Sequence, residues 1–412
     1  SPRVEDAAPG LLIVDLAGMP DPHGSASQLA HGAEKLGLPV HALAALDGPA
    51  TPVDETRLGG SDADDALIVY TSGTTGRPKG AVLTQAGLIW NAYNAIAAHD
   101  MGQRDHALNA LPMFHVGGLN IQALPVLVAG AQVTLHRRFD PAHWLADVVE
   151  RRPTLSVLVP AMMAAIVAQP DWPRADLTSL RMIHAGSMIV PDSLIEAFHA
   201  RGVPVGQIYG STETAPFATV LLKEDARAKA GSAGKAALHC EIRQVADPAR
   251  AGDEAGGVGE VWVRGPNVMR GYWNAPEATR AALVDGWYRT GDLARRDADG
   301  FYWIVGRSKD VIISGGENVY PAELENVLAD CPQIAEAAVI GLPDPKWGEA
   351  ACACIVRAPG AALDAAGVLA LFKDRLARYK HPRRVLFMDA LPKTAMGKVQ
   401  KFELRKAAES GA

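Results

Sequence analysis

The sequence predicts an α/β fold in which a large first part is followed by a small α+β unit. Apolar runs typical of buried strands occur for example at 11–16, 132–135 and 156–159, and amphipathic helix-length segments at 142–151 and 192–200. This alternation favours a parallel sheet with helical crossovers. From about residue 257, short aromatic runs divided by Gly and Asp indicate antiparallel β structure. After residue 310, a helix beginning at Pro321, two strands and a helix carrying Val368, Leu369, Phe372 and Leu376 predict a compact unit.

The composition fits a multidomain enzyme and argues against two other classes of protein. With 412 residues, 48% of them apolar, the chain is long enough for two or three domains with sizeable cores. A net charge of −6 argues against a nucleic-acid binder, which normally carries a basic face. No apolar run is long enough to span a bilayer. The four cysteines are expected to be reduced and structural, so we expect a cytoplasmic protein.

The stretch YTSGTTGRPKG at 70–80 is the strongest local signal for chemistry. It follows a predicted strand at 66–70 and combines three glycines with several hydroxyl side chains and Lys79. A loop of this kind can turn its backbone N–H groups towards phosphate oxygens. It is not a Walker A loop, because that pattern requires Ser or Thr directly after Gly-Lys. Spacing alone indicates phosphate binding but leaves a flexible surface turn as an alternative.

Six motifs occur in an order that resembles one protein family. They are TSGTTGRPKG at 71–80, LPMFHVGG at 111–118, YGSTE at 209–213, YRTGD at 288–292, GRSKDVIISGGENVYPAELE at 306–325 and PKTAMGK at 392–398. From about residue 60 to the end, the chain resembles the adenylate-forming (ANL) superfamily of acyl-CoA synthetases, peptide-synthetase adenylation domains and firefly-type luciferases. It is most similar to the fatty-acyl and aryl-CoA ligases.

The resemblance implies a two-step reaction that uses ATP, Mg²⁺ and coenzyme A. A carboxylate is first joined to the α-phosphate of ATP, which releases pyrophosphate, and a thiol then attacks the acyl adenylate. Residues 1–306 would form a large ATP- and acyl-binding domain with parallel sheets and a β-barrel-like part. Residues 307–412 would form a small mobile α+β lid domain. Lys309 matches the hinge about which this domain rotates, since such a rotation needs one or two residues that absorb the dihedral change.

The nucleotide site is implied by the same motifs. Asp292 would accept hydrogen bonds from both ribose hydroxyls, Arg307 would support the ribose or phosphate region, and Tyr209 would stack on adenine. The backbone of HAGSM at 184–188 would read the adenine edge, although relatives often carry a Gly-Ala-Pro run there. The ATP-binding residues implied by the resemblance are Thr71, Ser72, Gly73, Thr74, Thr75, Gly76, Lys79, Ala185, Gly186, Ser187, Tyr209, Gly210, Ser211, Thr212, Asp292 and Arg307.

Four residues are implied to act on the reacting groups. Thr212 would hydrogen-bond the α-phosphate, and Glu213 would ligate Mg²⁺, which prefers carboxylate, phosphate and water oxygens. Lys398 would bridge the acyl carboxylate and the α-phosphate, and so would affect rate more than ATP affinity. His115 would gate the acyl channel. Without the motifs, Lys398 and His115 would be interpreted as an ordinary tail lysine and a structural histidine.

Two further binding surfaces follow from the resemblance. A glycine pair would let pantetheine approach the backbone closely, and the basic run RYKHPRR would either meet CoA phosphates or form a solvated turn. The implied CoA-binding residues are Ser314, Gly315, Gly316, Lys380 and Arg383. The implied acyl-pocket residues are His115, Val116, Gly117, Gly118, Met188 and Phe217.

The pocket lining favours an apolar acid. It offers no fixed cation, which disfavours small dicarboxylates, and no aspartate motif suited to an amino acid. A medium- or long-chain fatty acid is slightly favoured over an aryl acid of the benzoate or cinnamate kind. An adenylation module that loads a carrier protein is a further alternative. An inactive binding protein is disfavoured because the phosphate loop, the metal and ribose carboxylates and Lys398 are all present.

The chain departs from the family before the phosphate loop, where relatives carry a sizeable segment that is mostly absent here. We expect this to uncover apolar surface on the sheet. Reduced stability, or a homodimer formed through that face, would follow.

Overall fold

The computed structural model of the chain describes residues 61–71, 78–188, 190–245, 257–393 and 399–409. The strands of this part form four β-sheets. The strand predicted at 11–16 lies outside the described residues.

The central sheet has seven strands and contains the predicted parallel structure. Its strands lie in the order Gln132–Leu135, His106–Asn109, Leu155–Leu158, Met182–Gly186, Val205–Tyr209, Thr219–Val220 and Lys235–Ala236. The first four neighbouring pairs are parallel and the last two are antiparallel. Leu155–Leu158 is buried along its whole length, as expected of a strand covered on both faces. The predicted alternation of strand and helix is confirmed.

Side-chain caps set the starts of two helices that pack on this sheet. Thr84 Oγ1 accepts a hydrogen bond from the N–H of Gly87 at 3.0 Å, and Asp140 Oδ1 accepts one from the N–H of His143 at 2.8 Å. The helices of this part are Gln85–His99, Val116–Gly118, Leu124–Val128, Pro141–Arg151, Pro160–Val167 and Asp192–Ala200, with a π-helical turn at Leu119–Ala123 and a 3₁₀ turn at Thr212–Thr214.

The largest hydrophobic core lies between these helices and the central sheet. Trp144 and Phe198, from two of the helices, and Phe217, which follows the 3₁₀ turn, are fully buried in it. Each such side chain contributes about 2–3 kcal/mol when it is removed from water. The sheet is therefore a firm base for the loops at its edge.

Two smaller sheets are antiparallel throughout. Their strands after residue 257 lie where antiparallel structure was predicted, whereas three of their strands precede that region. One contains Asp65–Thr71, Lys79–Thr84 and Gly271–Tyr272. The other contains Glu241–Val245, Gly259–Arg264, Trp287–Arg296, Leu283–Val284 and Tyr302–Arg307. A helix at Pro276–Ala282 lies in sequence between strands Gly271–Tyr272 and Leu283–Val284.

The last part of the chain has its own mixed sheet. The strands are Glu317–Val319, Ile312–Ser314, Gly348–Arg357, Ile334–Asp344 and Arg384–Phe387, of which only the last pairs in parallel. The helices are Pro321–Ala329, Ala365–Ala370 and Lys401–Glu409, with 3₁₀ turns at Ser308–Asp310 and Arg378–Lys380.

One predicted helix of this last part is shorter than the apolar pattern indicated. The pattern carried it to Leu376, but it ends at Ala370 and is followed by turns. Asp374 has φ of +62°, a left-handed conformation that a helix cannot contain. The apolar side chains of this stretch nevertheless face the core, since Phe372 is fully buried.

All four cysteines are free thiols, as predicted, and Cys352 and Cys354 are fully buried on one face of their strand. Within the ranges that the structure describes, every helix is too short or too polar to cross a bilayer.

Candidate active site

The glycine-rich loop joins two antiparallel strands of the three-stranded sheet. Tyr70 pairs with Gly80 and Thr71 with Lys79, so the two ends of the loop lie side by side on neighbouring strands. Thr71 Oγ1 donates to the carbonyl of Lys79 at 3.4 Å across the base of the loop. Ser72, Gly73, Thr74, Thr75 and Gly76 lie outside the described residues, so their predicted contacts with phosphate stay predictions.

The base of this loop is connected to the predicted metal ligand through a tyrosine. Lys79 Nζ lies 5.1 Å from the ring centroid of Tyr272, on the neighbouring strand. The hydroxyl of Tyr272 donates to Oε1 of Glu213 at 2.8 Å. The backbone carbonyl of Glu213 also accepts from the N–H of Met269 at 2.7 Å. Two motifs that are far apart in sequence are thereby brought together.

The YGSTE turn leaves the central sheet at the end of strand Val205–Tyr209. The N–H of Ser211 donates to Oγ1 of Thr214 at 2.9 Å, which closes a 3₁₀ turn in which Thr212 and Glu213 are buried. Replacing Gly210 by any larger residue would destabilise the fold, because a Cβ atom there would lie 1.7 Å from the carbonyl oxygen of Pro216. The glycine is therefore required by packing, whatever its contact with ATP.

The predicted ribose carboxylate is held by two donors. Tyr209 donates its hydroxyl hydrogen to Oδ2 of Asp292 at 3.0 Å, and Arg307 Nε lies 3.1 Å from Oδ1. The backbone N–H of Asp292 donates to Oγ1 of Thr290 at 3.0 Å, and that hydroxyl donates to the carbonyl of Val261 at 2.7 Å. Asp292 is buried, so its position is fixed by three contacts before any ligand arrives.

Three phenols around these carboxylates stay protonated at neutral pH. Burial, together with the nearby negative charges of Glu213 and Asp292, raises the pKa values of Tyr209, Tyr272 and Tyr288 above the usual value of a phenol. A protonated phenol can donate to a carboxylate without adding charge. The two acids are thus oriented while their own charge remains available to a bound cation or hydroxyl group.

The predicted adenine segment lies at the end of a central strand. Ala185 and Gly186 are buried, and a Cβ atom at Gly186 would lie 2.7 Å from the carbonyl oxygen of Ile208. Ser187 follows with φ of +67°, which is unusual for a residue other than glycine. Such a left-handed residue turns the chain sharply at the carboxyl edge of the sheet, where α/β proteins bind their ligands.

The predicted acyl-pocket residues divide into two environments. His115 Nδ1 accepts a hydrogen bond from the N–H of Gly117 at 2.9 Å and so caps the short helix Val116–Gly118. A Cβ atom at Gly118 would lie 2.1 Å from the carbonyl oxygen of Pro112, so this glycine is needed for packing. Met188 is exposed, whereas Phe217 is fully buried in the core. The assignment of both to one pocket stays a prediction.

The residues predicted for the hinge and for CoA occupy the last part of the chain. Lys309 is exposed in the turn Ser308–Asp310. Gly315 has φ of +64°, and a Cβ atom there would lie 2.6 Å from the Trp347 indole. The guanidinium of Arg383 stacks on the same indole, 4.6 Å from the ring centroid.

The other residues predicted to bind CoA have surroundings different from those of Gly315 and Arg383. Ser314 is buried, and Gly316 has open space on the side where a Cβ atom would point. Lys380 forms an ion pair with Glu323 instead of projecting freely into solvent. Lys398 lies outside the described residues.

Sequence reasoning missed the residues that hold the two carboxylates in place. Tyr272 was not proposed, and Thr290 was quoted only as part of the YRTGD motif. The sequence does contain both residues, as the tyrosine of RGYW at 270–273 and the threonine of YRTGD. Nothing in either run indicates which carboxylate the side chain contacts.

Two family matches cover most of the chain. Residues 3–273 match the family described as "AMP-binding enzyme", and residues 323–398 match its C-terminal domain.

Curated relatives act on several carboxylic acids. The chain is 52% identical over 359 residues to an indoleacetate–CoA ligase of Aromatoleum aromaticum, a match that covers 87% of this chain and 68% of the relative. It is 46% identical over 343 residues to a feruloyl-CoA synthase of an Amycolatopsis species, covering 83% and 70%. It is 38% identical over 400 residues to the long-chain-fatty-acid–CoA ligase FadD13 of Mycobacterium tuberculosis, covering 97% and 77%.

Solved structures of similar fold contain nucleotide. ATP-bound MatB from Rhodopseudomonas palustris gives a TM-score of 0.81 at 33% identity and covers 94% of this chain and 78% of that one. The o-succinylbenzoate coenzyme A synthetase of Bacillus subtilis, solved with ATP and a magnesium ion, gives a TM-score of 0.76 at 36% identity, with coverage of 85% and 70%.

Proposed function

The chain belongs to the AMP-binding enzyme family, and on that premise we propose that it is an AMP-forming acid–thiol ligase for an aromatic carboxylic acid. The acid would be activated with ATP and transferred to coenzyme A. The observation that carries this proposal is the hydrogen bond of 3.0 Å between Tyr209 and Asp292, because it joins the YGSTE and YRTGD motifs in one site.

The residues fit the ribose of ATP. Asp292 is a buried carboxylate that Tyr209 and Arg307 hold in place, and an ionised carboxylate accepts hydrogen bonds only. Both ribose hydroxyls are donors that such a carboxylate accepts. Lys79 would supply positive charge to the phosphates at the other end of the site.

The residues also fit Mg²⁺. Glu213 is buried, and within the described residues neither a lysine nor an arginine forms an ion pair with it. A buried carboxylate without a cationic partner is costly unless a metal ion or another cation balances it. When bound, Mg²⁺ would neutralise charge on the phosphate oxygens. The hydroxyl of Tyr272 would keep Oε1 of Glu213 in place.

The reaction would proceed in two displacements. A carboxylate oxygen of the acid attacks the α-phosphorus, the bond to the bridging oxygen breaks, and pyrophosphate leaves. Thr212 would donate to the α-phosphate, and Lys398 would balance the charge that builds up as the two anions meet. The deprotonated thiol of coenzyme A then attacks the acyl carbon, and AMP leaves as the thioester forms.

The choice of an aromatic acid replaces the slight preference for a fatty acid drawn from the sequence. The two relatives with 52% and 46% identity are named for indoleacetate and ferulate, both aromatic, whereas the fatty-acid ligase is 38% identical. Relatives that share more residues are more often alike in the acyl pocket, and therefore in substrate class. The higher identity to the two ligases of aromatic acids thus supports an aromatic acid.

A buried amide in the segment after His115 is compatible with this choice. Asn120 lies four residues after Val116, hence on the same side of the helical segment that follows His115. It is fully buried, and neither its Oδ1 nor its Nδ2 has a partner among the described residues. An unmet buried polar group costs about 1–3 kcal/mol. A hydroxyl or ring N–H on an aromatic acid would meet it, whereas an alkyl chain would not.

We also propose the division of the chain after Gly306, with Lys309 as the hinge. The strands and apolar clusters from Ile312 onwards form a sheet and cores of their own. Arg307 lies just after this boundary but before the hinge residue, and it pairs with Asp292 of the large domain. A rotation about Lys309 would therefore leave the ribose site intact. A homodimer and a cytoplasmic location stay predictions.

A panel of acids tests the substrate class. Indole-3-acetate, ferulate, cinnamate, benzoate, octanoate and palmitate are compared in ATP–pyrophosphate exchange, and AMP release is then measured with and without coenzyme A. We expect exchange to be fastest with an aromatic acid and AMP release to require coenzyme A. Exchange with fatty acids alone would reject the aromatic class, and exchange without CoA-dependent AMP release would favour a carrier protein as acceptor.

Lys398→Ala tests the division into two steps. We expect adenylation to be lost while thioester formation from preformed acyl adenylate is retained, because the charge balanced by this lysine exists only in the first step. Lys406→Ala, on the exposed face of the last helix, is the control. Equal loss of both half-reactions would contradict the assignment.

A further inference from the structure

Two histidines and an aspartate form a cluster at the edge of the central sheet, outside the motifs of the candidate active site. His136 follows the edge strand Gln132–Leu135, and its backbone N–H donates to the carbonyl of Asn109 at 2.9 Å. His143 and Asp147 are four residues apart on helix Pro141–Arg151 and share one face of it. The three residues lie within a stretch of twelve.

The side-chain atoms of the cluster are close enough to share one ion. His136 Nε2 lies 2.8 Å and His143 Nε2 3.8 Å from the same oxygen, Oδ2 of Asp147. All three atoms lie within 4.8 Å of one another. Around a tetrahedral ion with ligands at about 2.0–2.1 Å, neighbouring ligand atoms are about 3.4 Å apart. The two imidazole planes are inclined by only 16°, so His143 must rotate about its side-chain bonds to aim Nε2 at an ion shared with His136, and its exposure leaves room for that rotation.

The carboxylate is prepared for a cation. Arg151 Nε holds Oδ1 of Asp147 at 2.9 Å, so Oδ2 is the oxygen that faces the histidines.

The cluster combines a buried interior with an accessible entrance. The side chains of His136 and Asp147 are 4% and 6% exposed, whereas His143 is 62% exposed. His136 is oriented by its burial and by stacking on the His143 ring, with centroids 4.5 Å apart. Its Nδ1 has no hydrogen-bond partner within the described part of the chain. Because such a partner normally strengthens a histidine ligand, we expect moderate rather than tight affinity.

We propose that His136, His143 and Asp147 form a binding site for a divalent transition-metal ion of the Zn²⁺ class. Two imidazole nitrogens and one carboxylate oxygen suit Zn²⁺ or Co²⁺, whereas Mg²⁺ and Ca²⁺ prefer oxygen ligands alone. Three protein ligands leave one position for water. An ion bound by all three residues would tie the helix to the end of the edge strand.

The proposal is tested by equilibrium dialysis of the full chain with Zn²⁺ alone, in the absence of ATP and Mg²⁺. We expect the wild type to bind one more Zn²⁺ per chain than His143→Ala does, or to bind it at least about tenfold more tightly. Because His143 is exposed, this variant keeps its fold, which circular dichroism verifies. Equal Zn²⁺ binding by the two proteins would overturn the proposal.

Two further variants separate ligation from a change in charge or helix stability. His143→Cys keeps a good zinc ligand at the position and is expected to retain binding. Glu150→Gln removes an exposed charge from the same helix and is expected to bind as the wild type does. In thermal unfolding, Zn²⁺ is expected to raise the Tm of the wild type and His143→Cys but not of His143→Ala. An equal rise in all of them would place the ion elsewhere.

Discussion

The hydroxyl of Tyr272 donates a hydrogen bond to Oε1 of Glu213 at 2.8 Å. This contact ties the three-stranded sheet that carries the phosphate loop to the turn that leaves the central sheet. The stacking of Lys79 on the same tyrosine, 5.1 Å from its ring centroid, places the cationic end of the loop beside that connection. The phosphate loop and the proposed metal ligand are therefore positioned by one side chain.

Tyr272→Phe removes the hydrogen bond and keeps the ring. A hydrogen bond to a charged group contributes about 1.5–3 kcal/mol, so we expect kcat/KM in ATP–pyrophosphate exchange to fall about 10–100-fold. The Mg²⁺ concentration that gives half-maximal rate should rise, because Glu213 is no longer oriented. Tyr93→Phe, at an exposed tyrosine, is the control. An unchanged dependence on Mg²⁺ would separate Tyr272 from the metal site.

Asp292→Asn keeps the size of the side chain and removes its charge. The contacts with Tyr209 and Arg307 weaken, and the amide accepts fewer hydrogen bonds from ribose. We expect the KM for ATP to rise about 10–100-fold, and Tyr209→Phe to have a smaller effect because it removes one donor only. The KM values from pyrophosphate exchange decide this. A wild-type KM for ATP in Asp292→Asn would remove this residue from the nucleotide site.

Gly210→Ala tests the packing of the YGSTE turn. The new Cβ atom would meet the carbonyl oxygen of Pro216 at 1.7 Å, so backbone must move. We expect the free energy of unfolding in urea to fall by about 1–3 kcal/mol or more, with loss of adenylation. Gly102→Ala is the matched control, because no atom lies within 4 Å of a Cβ there. Similar stability of the two variants would show that the turn can relax.

The buried histidines of the core predict a loss of stability in acid. Burial lowers the pKa of His99 to about 4 and that of His184 well below its usual value. Since an unfolded histidine has a pKa of about 6.5, the folded state binds fewer protons. This contribution to stability is complete above pH 6.5 and is lost as the pH falls towards 4, with a slope of up to about 1.4 kcal/mol per pH unit for each histidine.

Urea unfolding at pH 7 and pH 5 measures this slope. We expect His99→Gln to reduce the difference between the two pH values, and His381→Gln, in the last part of the chain, to leave it unchanged. The same pH dependence in wild type and His99→Gln would exclude His99 as a source of the acid sensitivity.

The local pattern of apolar and polar residues predicted most of the helices and strands, but not all of the residues at which they end. Gln132–Leu135 and Asp192–Ala200 have the predicted bounds, because their apolar period is clear and caps or turns flank them. The predicted helix was too long, because it continued to Leu376 whereas the observed helix ends at Ala370. Phe372 and Leu376 are apolar because they pack in the core, and that packing does not require a helical backbone. The spacing of apolar residues indicates which side chains face a core. A series of turns can place apolar residues at the same spacing as a helix does.

The sequence by itself determined the family and the order of the motifs, and it singled out Glu213 and Asp292 as the proposed acids of the site, because short motifs carry their residue types along the chain. Only the tertiary structure decided which neighbours orient those acids. Tyr272 reaches Glu213 from a strand 59 positions later, and Tyr209 reaches Asp292 across 83 positions. These contacts depend on how separate sheets pack against one another, and no local period or spacing encodes that packing.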